Sequence, residues 1–523
     1  MSCTRRTFLE RVGQAGGGVA VHGAMRALGL AGTPALAWSP PAARAPAGTR
    51  VIILGAGVAG LAAAYELRKL GYECEILEAR PRFGGRCLTV RRGHVSEEAG
   101  TPPQKAAFDP DLYLNAGAAR IPHHHTTTLD YCRELGVAIE PFCSVNEAAY
   151  LFQSAAAPSG QRLRLREVRT DWRGQTSELL AKAVSRDAID RPMTAEDRER
   201  ILEWLRLEGG LSPELRYEGS PRRGYTSPPG VGAAPAIVGD QLELDDLLRT
   251  GFGKYLATEI NMQTPMFQVV GGTDGIVRAL AARVGHLTLG AEVQAIEQPP
   301  GKIRVRYTVD GDTRQVEGAY CISTLPLTQL RDVSIDVSPD LRAAVAAINY
   351  SSAGKIGLQF SRRFWEEDDG IFGGITRTDL EITQILYPST GYLSRKGVLV
   401  GYYQTGAVAG PMGDRTPAGR LQCALDQGAM IHPQYKTTFE NAFSIAWQNV
   451  AFSKGGWATF TEAQRKSEYL TLQKPAGAVY LAGDYMTNMS GWMAGAFESA
   501  RSVVKSIHER ALRSSTASAA ARG

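Results

Sequence analysis

The sequence predicts an α/β fold built on a Rossmann-like dinucleotide-binding domain, and three observations carry that expectation. Val51–Leu67 reads V-I-I-L-G-A-G-V-A-G-L-A-A-A-Y-E-L, an apolar strand, a glycine turn and a helix in succession. Leu77–Arg86, L-E-A-R-P-R-F-G-G-R, then places an acid, Glu78, at the end of the next strand, 18 residues beyond Gly60. Val479–Arg501 repeats the sequence of buried strand, break and helix near the far end of the chain. A lone GxGxxG is weak, but strand, turn, helix, strand and acid in this order outweigh a chance glycine turn.

Each part of the first unit has a physical task. Gly55 makes the turn, Gly57 lets the main chain approach a pyrophosphate, and Gly60 lets the helix lie close against the strand. The amides of Val58 and Ala59 open the helix and face the phosphates with the positive end of its dipole. Glu78, with Ala79 beside it, is placed to hold an adenosine ribose. A nicotinamide cofactor comes and goes, whereas a flavin dinucleotide is held. The added arm of Gly84, Gly85 and Arg86, with Arg80 and Arg82, suits permanent clamping of a pyrophosphate.

Composition fits a large enzyme and excludes several classes. The chain of 523 residues is long enough for two or three packed units, and 44% hydrophobic content is ordinary for a globular protein. The net charge of +5 is small for this length, and no basic stripe interleaved with aromatics points to nucleic acid. No apolar run reaches the ~20 residues needed to span a bilayer, so stable membrane insertion is not expected. The seven cysteines lack C-x-x-C spacing and read as buried free thiols, and no metal site is expected. Thr4–Glu10, T-R-R-T-F-L-E, reads as a twin-arginine export signal, with an A-x-A cleavage site at Ala35–Ala37. Residues 1–37 are therefore expected to be a signal peptide and 38–48 a linker, which implies a periplasmic or extracellular protein.

The motif E-x-x-x-R-x-G-G-R, matched at Glu78, Arg82, Gly84, Gly85 and Arg86, resembles the flavin-dependent amine oxidase family. Within that family the chain most resembles bacterial L-amino acid oxidases. The resemblance implies FAD as cofactor, a flavin domain of the glutathione-reductase type, a mixed-sheet substrate domain and a helical insertion. It assigns residues 49–110, 262–345 and 441–508 to the flavin domain and 111–150 and 346–440 to the substrate domain. Residues 151–261 become the insertion, flanked by flexible runs at 154–160 and 219–236, and 509–523 a disordered tail. In the insertion, Ser177–Leu207 reads as helices, with Thr194 and Asp197 forming a cap. In the family Val293 lays its main chain against the adenine. Asp484, after Gly483, meets ribitol hydroxyls, and the helix from Gly491 through Trp492, Met493 and Ala496 aims its amides at the flavin's pyrimidine end.

The same resemblance outlines a substrate pocket. N-A-G-A-A-R-I-P, Asn115–Pro122, runs Gly117, Ala118 and Ala119 past the cofactor and places Arg120 where the family binds a substrate α-carboxylate. A planar guanidinium grips a carboxylate with two parallel hydrogen bonds and so fixes which C–H faces the flavin. Tyr387 is the expected partner on that carboxylate and, with Trp492, an aromatic wall around the amine. Lys355, within A-G-K-I-G-L-Q-F, matches the family lysine that holds a water near the reacting flavin atom. His123, His124 and His125 diverge as consecutive side chains and read as a loop or helix start. The resemblance implies oxidation of an L-amino acid by dioxygen to a 2-oxo acid, ammonia and hydrogen peroxide. A primary amine oxidase, or a 2-monooxygenase forming an amide, uses the same parts, and a flavin kept only as structural ballast is a third reading. A homodimer is expected.

Overall fold

The structure is a computed structural model that describes residues 41, 43–154, 160–226, 236–251, 259–263 and 265–520, with side chains to residue 516. The expected signal peptide, and the parts of the flanking runs at 155–159 and 227–235, lie outside the described residues.

A five-stranded parallel sheet forms the centre of the nucleotide-binding half, in the order Leu287–Leu289, Glu73–Glu78, Arg50–Leu54, Tyr320–Ser323, Val479–Leu481. Val51, Ile52, Ile53 and Leu54 are wholly buried, as a parallel strand covered on both faces must be. On one face lie the helices Val58–Leu70, Asp274–Val284 and Met493–Ala520. A second apolar cluster on the other face joins this sheet to the four-stranded sheet of Glu292–Glu297, Ile303–Val309, Asp312–Gly318 and Ser334–Ile335.

A seven-stranded sheet forms the other half, in the order Phe439–Ala446, Ala353–Phe360, Gly397–Thr405, Gln384–Leu386, Ile375–Thr378, Tyr150–Gln153, Gln161–Arg164. Its membership moves two expected boundaries. Gln161–Arg164 pairs with Tyr150–Gln153, so the helical insertion begins at Leu165 rather than 151. Phe439–Ala446 pairs with Ala353–Phe360, so the sheet runs past 440. Residues 111–142 also differ from expectation. Ile121–Pro122 and Ile139–Phe142 pair with Met266–Val269, and helix Thr126–Leu135 buries Tyr131, Cys132 and Leu135 in the core of the nucleotide-binding half.

The insertion contains helices Leu165–Ser185 and Ala195–Gly209, and Thr194 and Asp197 exchange the expected capping bonds. The expected disordered tail is a continuation of helix Met493–Ala520 as far as Ala520. Ala511 packs into the core, and the hydroxyls of Ser514, Ser515 and Thr516 bond back to carbonyls one turn earlier, which suits a helix better than their composition suggests. No helix among the described residues is long and apolar enough to cross a membrane.

Candidate active site

The opening glycines differ in what they permit. Gly55 has φ +96°, and a Cβ there would lie 2.7 Å from Thr324 Oγ1. A Cβ on Gly60 would lie 1.9 Å from the carbonyl oxygen of Gly55, so the helix rests on the turn itself rather than on the strand. Gly57 meets nothing within 4 Å of its missing Cβ, and a Cβ on Gly85 would come 3.4 Å from Gly57 Cα. The two residues present bare backbone to one space. Glu78 braces this turn by accepting from Ala56 N (2.8 Å) and Arg80 N (3.0 Å), and it lines the same space.

The two arginines expected to clamp phosphate have other partners. Arg80 and Arg82 both donate to Glu97, and Arg82 also donates to the Gly85 carbonyl, which holds the arm in place. Arg82 does not line the cavity, and Arg80 does so while bound to Ala451 O and Ser453. A buried guanidinium, Arg80, beside the half-buried one of Arg82 needs a carboxylate, and Glu97 supplies it. The phosphate-facing surface is therefore the backbone around Gly57 and Gly85.

Asp484 is likewise a joint. Its carboxylate pairs with Arg86 through both oxygens, one contact being 3.2 Å, and accepts from Gly491 N at 2.7 Å. These bonds tie the first nucleotide-binding arm to the last helix. They also engage the Gly491 amide that was expected to face the flavin, while Asp484 still lines the cavity where ribitol hydroxyls are expected. At 4% exposure this carboxylate needs internal partners.

Gly55, Gly57, Glu78, Gly85, Arg86, Asp484 and Gly491 surround one cavity of about 1270 Å³ between the two halves. Every sequence-predicted cofactor residue lines it except Gly60 and Arg82, and Lys355, Tyr387 and Trp492 line it too. A pocket for one drug-sized ligand occupies roughly 300–1,000 Å³, so this volume suits a dinucleotide plus a small substrate. Gly117 passes so close to the arm that a Cβ would sit 1.7 Å from the Arg86 carbonyl.

In the substrate half, Lys355 is buried and donates to Asn115 O (3.1 Å) and Gly117 O (2.6 Å). Burial, reinforced by the Arg120 charge, lowers its pKa to about 7. Its nitrogen lies 4.6 Å from the centre of the Tyr403 ring. Arg120 has no ion pair among the described residues. Its Nη2 donates to Met262 Sδ (3.3 Å), a weak acceptor, and the guanidinium lies 6.0 Å from the Trp492 ring centre. Burial pulls it below the usual arginine range, opposed by Tyr403.

Tyr387 is not where the pocket needs it. It borders the cavity, but its hydroxyl is engaged behind the sheet with Thr376 Oγ1 (2.7 Å) and His432 Nε2 (2.6 Å). Alternation explains this. Gln384 and Leu386 face the cavity, so Ile385 and Tyr387 face the core. The tyrosine on the cavity side is Tyr403. A bulge at Gly401 breaks the strand's alternation, turning Tyr402 into the core and Tyr403 into the cavity. His125 precedes helix Thr126–Leu135, and His124 and His125 both bond to Asn261 Oδ1. Among the described residues no cluster is placed to hold a metal ion.

The profile of the family described as flavin containing amine oxidoreductase matches residues 58–508. The chain belongs to that family. A flavin-containing amine oxidoreductase binds FAD, and the glycine cradle and cavity volume fit that cofactor. This amine oxidoreductase is similar to the flavin-dependent L-tryptophan oxidase of Lentzea aerocolonigenes, 28% identical over 487 residues, covering 88% of this chain and 98% of the relative. It is also similar to the L-amino-acid oxidase of Pseudechis australis, 26% identical over 475 residues, covering 88% and 86%. Among solved structures it resembles a putrescine oxidase triple mutant (TM-score 0.60, 19% identity, 88% of this chain and 99% of the other). The cyclohexylamine oxidase of Brevibacterium oxydans IH-35A matches similarly (TM-score 0.59, 18% identity, 88% and 99%), and both likenesses show the fold.

For this amine oxidoreductase, Glu78→Ala is expected to purify with depleted FAD, because the change removes a bond to the phosphate turn as well as a ribose acceptor. Absorbance of released flavin per mole of protein checks this, and full occupancy would contradict it.

Proposed function

We propose that this flavin-containing amine oxidoreductase oxidises L-amino acids with dioxygen and water to 2-oxo acids, ammonia and hydrogen peroxide. The observation that carries the reading is Arg120, a guanidinium facing the cavity without an acidic partner among the described residues. A cation desolvated in this way is costly unless a ligand supplies the counter-charge, and an α-carboxylate does so with two parallel bonds. FAD, held along the backbone around Gly57 and Gly85 with Glu78 beside it, would supply the two-electron acceptor for the Cα–H, with dioxygen as the final oxidant.

The protein's own groups divide the remaining work. Arg120 holds the carboxylate and thereby orients the Cα–H. Trp492 and Tyr403 bound the space around the amine, and their faces tolerate the positive charge that develops there. Lys355 accounts for proton movement. A neutral lysine has two N–H groups and one lone pair; Asn115 O and Gly117 O take the two N–H groups, leaving the lone pair to accept a proton from water or from the substrate ammonium.

The Tyr403 hydroxyl, beside Arg120, is the one we assign to the substrate carboxylate in place of Tyr387, so Tyr403→Phe is expected to lower kcat/KM on L-amino acids about tenfold, the effect of one hydrogen bond to a charged group. Tyr387→Phe is expected to act mainly on melting temperature, since it leaves the buried Nε2 of His432 without its partner while Nδ1 stays bonded to Asp369. Equal kinetic losses in both variants would reject this assignment of the two tyrosines. The proposal as a whole is tested by assaying peroxide and ammonia from L-amino acids, D-amino acids and simple amines.

We also propose export by the twin-arginine route, on the Arg5–Arg6 pair. Replacing both by lysine should leave active enzyme in the cytoplasm, because ammonium lacks the planar donors of guanidinium. Undiminished activity outside the cytoplasmic membrane would contradict that.

A further inference from the structure

The cavity face of the seven-stranded sheet carries polar groups beyond Lys355 and Tyr403. Those two residues are register partners on adjacent strands. On the next strand Gln384 Nε2 donates to the Tyr403 carbonyl, and on the strand after that Arg377 is the register partner of Gln384 and donates to its Oε1. Both Gln384 and Arg377 line the cavity. Three strand spacings separate Lys355 from Arg377, roughly 14 Å across the sheet. The row therefore starts where the amine would be handled and ends well beyond the α-carbon.

Among the described residues, the charged side chains that face the enclosed part of this half are cationic. Arg120, Lys355 and Arg377 face the enclosed space, whereas the acids on this side, Asp111 and Glu259, are exposed at the rim. Low-dielectric walls lined by one sign of charge favour a ligand of the opposite sign and reject one of the same sign. The α-carboxylate meets Arg120, and Arg377 lies farther along the cavity wall, on the side that the substrate's side chain would reach.

We propose that Arg377, with Gln384 beside it, reads the substrate side chain, and that the site takes L-amino acids bearing a second carboxylate, those of the aspartate and glutamate class. The assignment rests on the L-amino acid reading above. A guanidinium has five N–H donors in a planar fork, so its bond to Gln384 is compatible with a carboxylate in the same plane.

The test uses FAD-loaded full-length protein and measures kcat/KM for peroxide from L-glutamate, L-aspartate, L-leucine, L-phenylalanine and L-lysine. Wild-type enzyme is expected to prefer one of the two dicarboxylic amino acids by about tenfold or more over the neutral ones, with L-lysine poorest. In Arg377→Gln the ratio of kcat/KM on that acid to kcat/KM on L-leucine should fall roughly 30-fold or more. A binding arm serves if the variant folds poorly. In wild type, glutarate should perturb the flavin spectrum at concentrations at least about tenfold below pentanoate, which has one carboxylate fewer. Preference for L-leucine or L-phenylalanine over both acids, equal binding of glutarate and pentanoate, or an unchanged substrate ratio in Arg377→Gln overturns the assignment while leaving L-amino acid oxidation intact. Turnover of amines with none of any amino acid removes the underlying reading, and this assignment falls with it.

Discussion

Arg120→Met lowers kcat/KM on L-amino acids by roughly 30-fold to several thousand-fold and changes kcat/KM on the matching decarboxylated amine little. The range follows from the 2 to 5 kcal/mol typically lost when one partner of a buried charge pair is removed, at about 1.4 kcal/mol per tenfold. The guanidinium has a thioether contact and an aromatic neighbour at hand, and neither balances its charge. The substrate carboxylate is therefore the group that loses most when residue 120 becomes neutral. Steady-state peroxide assays on paired substrates measure the ratio directly. Equal losses on amino acid and amine would mean that Arg120 supports the fold or the cofactor site, and the function would revert to general amine oxidation.

The second large effect belongs to Lys355. With its pKa lowered to about 7 by burial and by Arg120, it is cationic below that pH and neutral above it. kcat/KM is expected to climb through an ionisation near pH 7 as the lone pair becomes available. Lys355→Met should lose that limb and about 10²–10⁴ in rate, while the limb set by the substrate's own ammonium remains. Stability moves in the same direction, over a higher pH window. The folded-state value lies below the ordinary 10.5, so between about pH 7 and 10.5 the unfolded chain holds a proton that the folded chain does not. This group's contribution to stability therefore rises with pH across that window and is least favourable below it. Lys355→Met should raise the melting temperature most near pH 6 to 7, a gain on the order of a few kcal/mol, and hardly at all above about pH 10.5. A pH profile near 7 that survives the substitution would remove Lys355 from proton transfer.

How much was legible in the sequence depended on whether the constraint was local. The turn at Gly55, Gly57 and Gly60 and the close pass at Gly117 are demands on backbone space, and glycine spacing announces them. The capping box at Thr194 and Asp197 is local in the same sense. Arg80, Arg82 and Asp484 were read as ligand groups because their chemistry suits phosphate and ribose. Their partners, Glu97 and Arg86, are set by the fold, and Arg86 meets Asp484 across 398 positions. The expectation named Tyr387 and missed Tyr403, because a single bulge at Gly401 turns Tyr403 rather than Tyr402 to the cavity, and two adjacent tyrosines carry no sign of it. Strand pairing is equally non-local, which is why Gln161–Arg164 and residues 441–446 fell outside the expected substrate domain.

The central claim is tested most directly by anaerobic mixing of the yellow FAD-loaded enzyme with an L-amino acid panel, the D-enantiomers and the matching decarboxylated amines, followed by admission of oxygen. The account predicts rapid bleaching by L-amino acids alone, then recovery of colour with equimolar peroxide and ammonia. Bleaching by the amines while every L-amino acid leaves the flavin oxidised would contradict it.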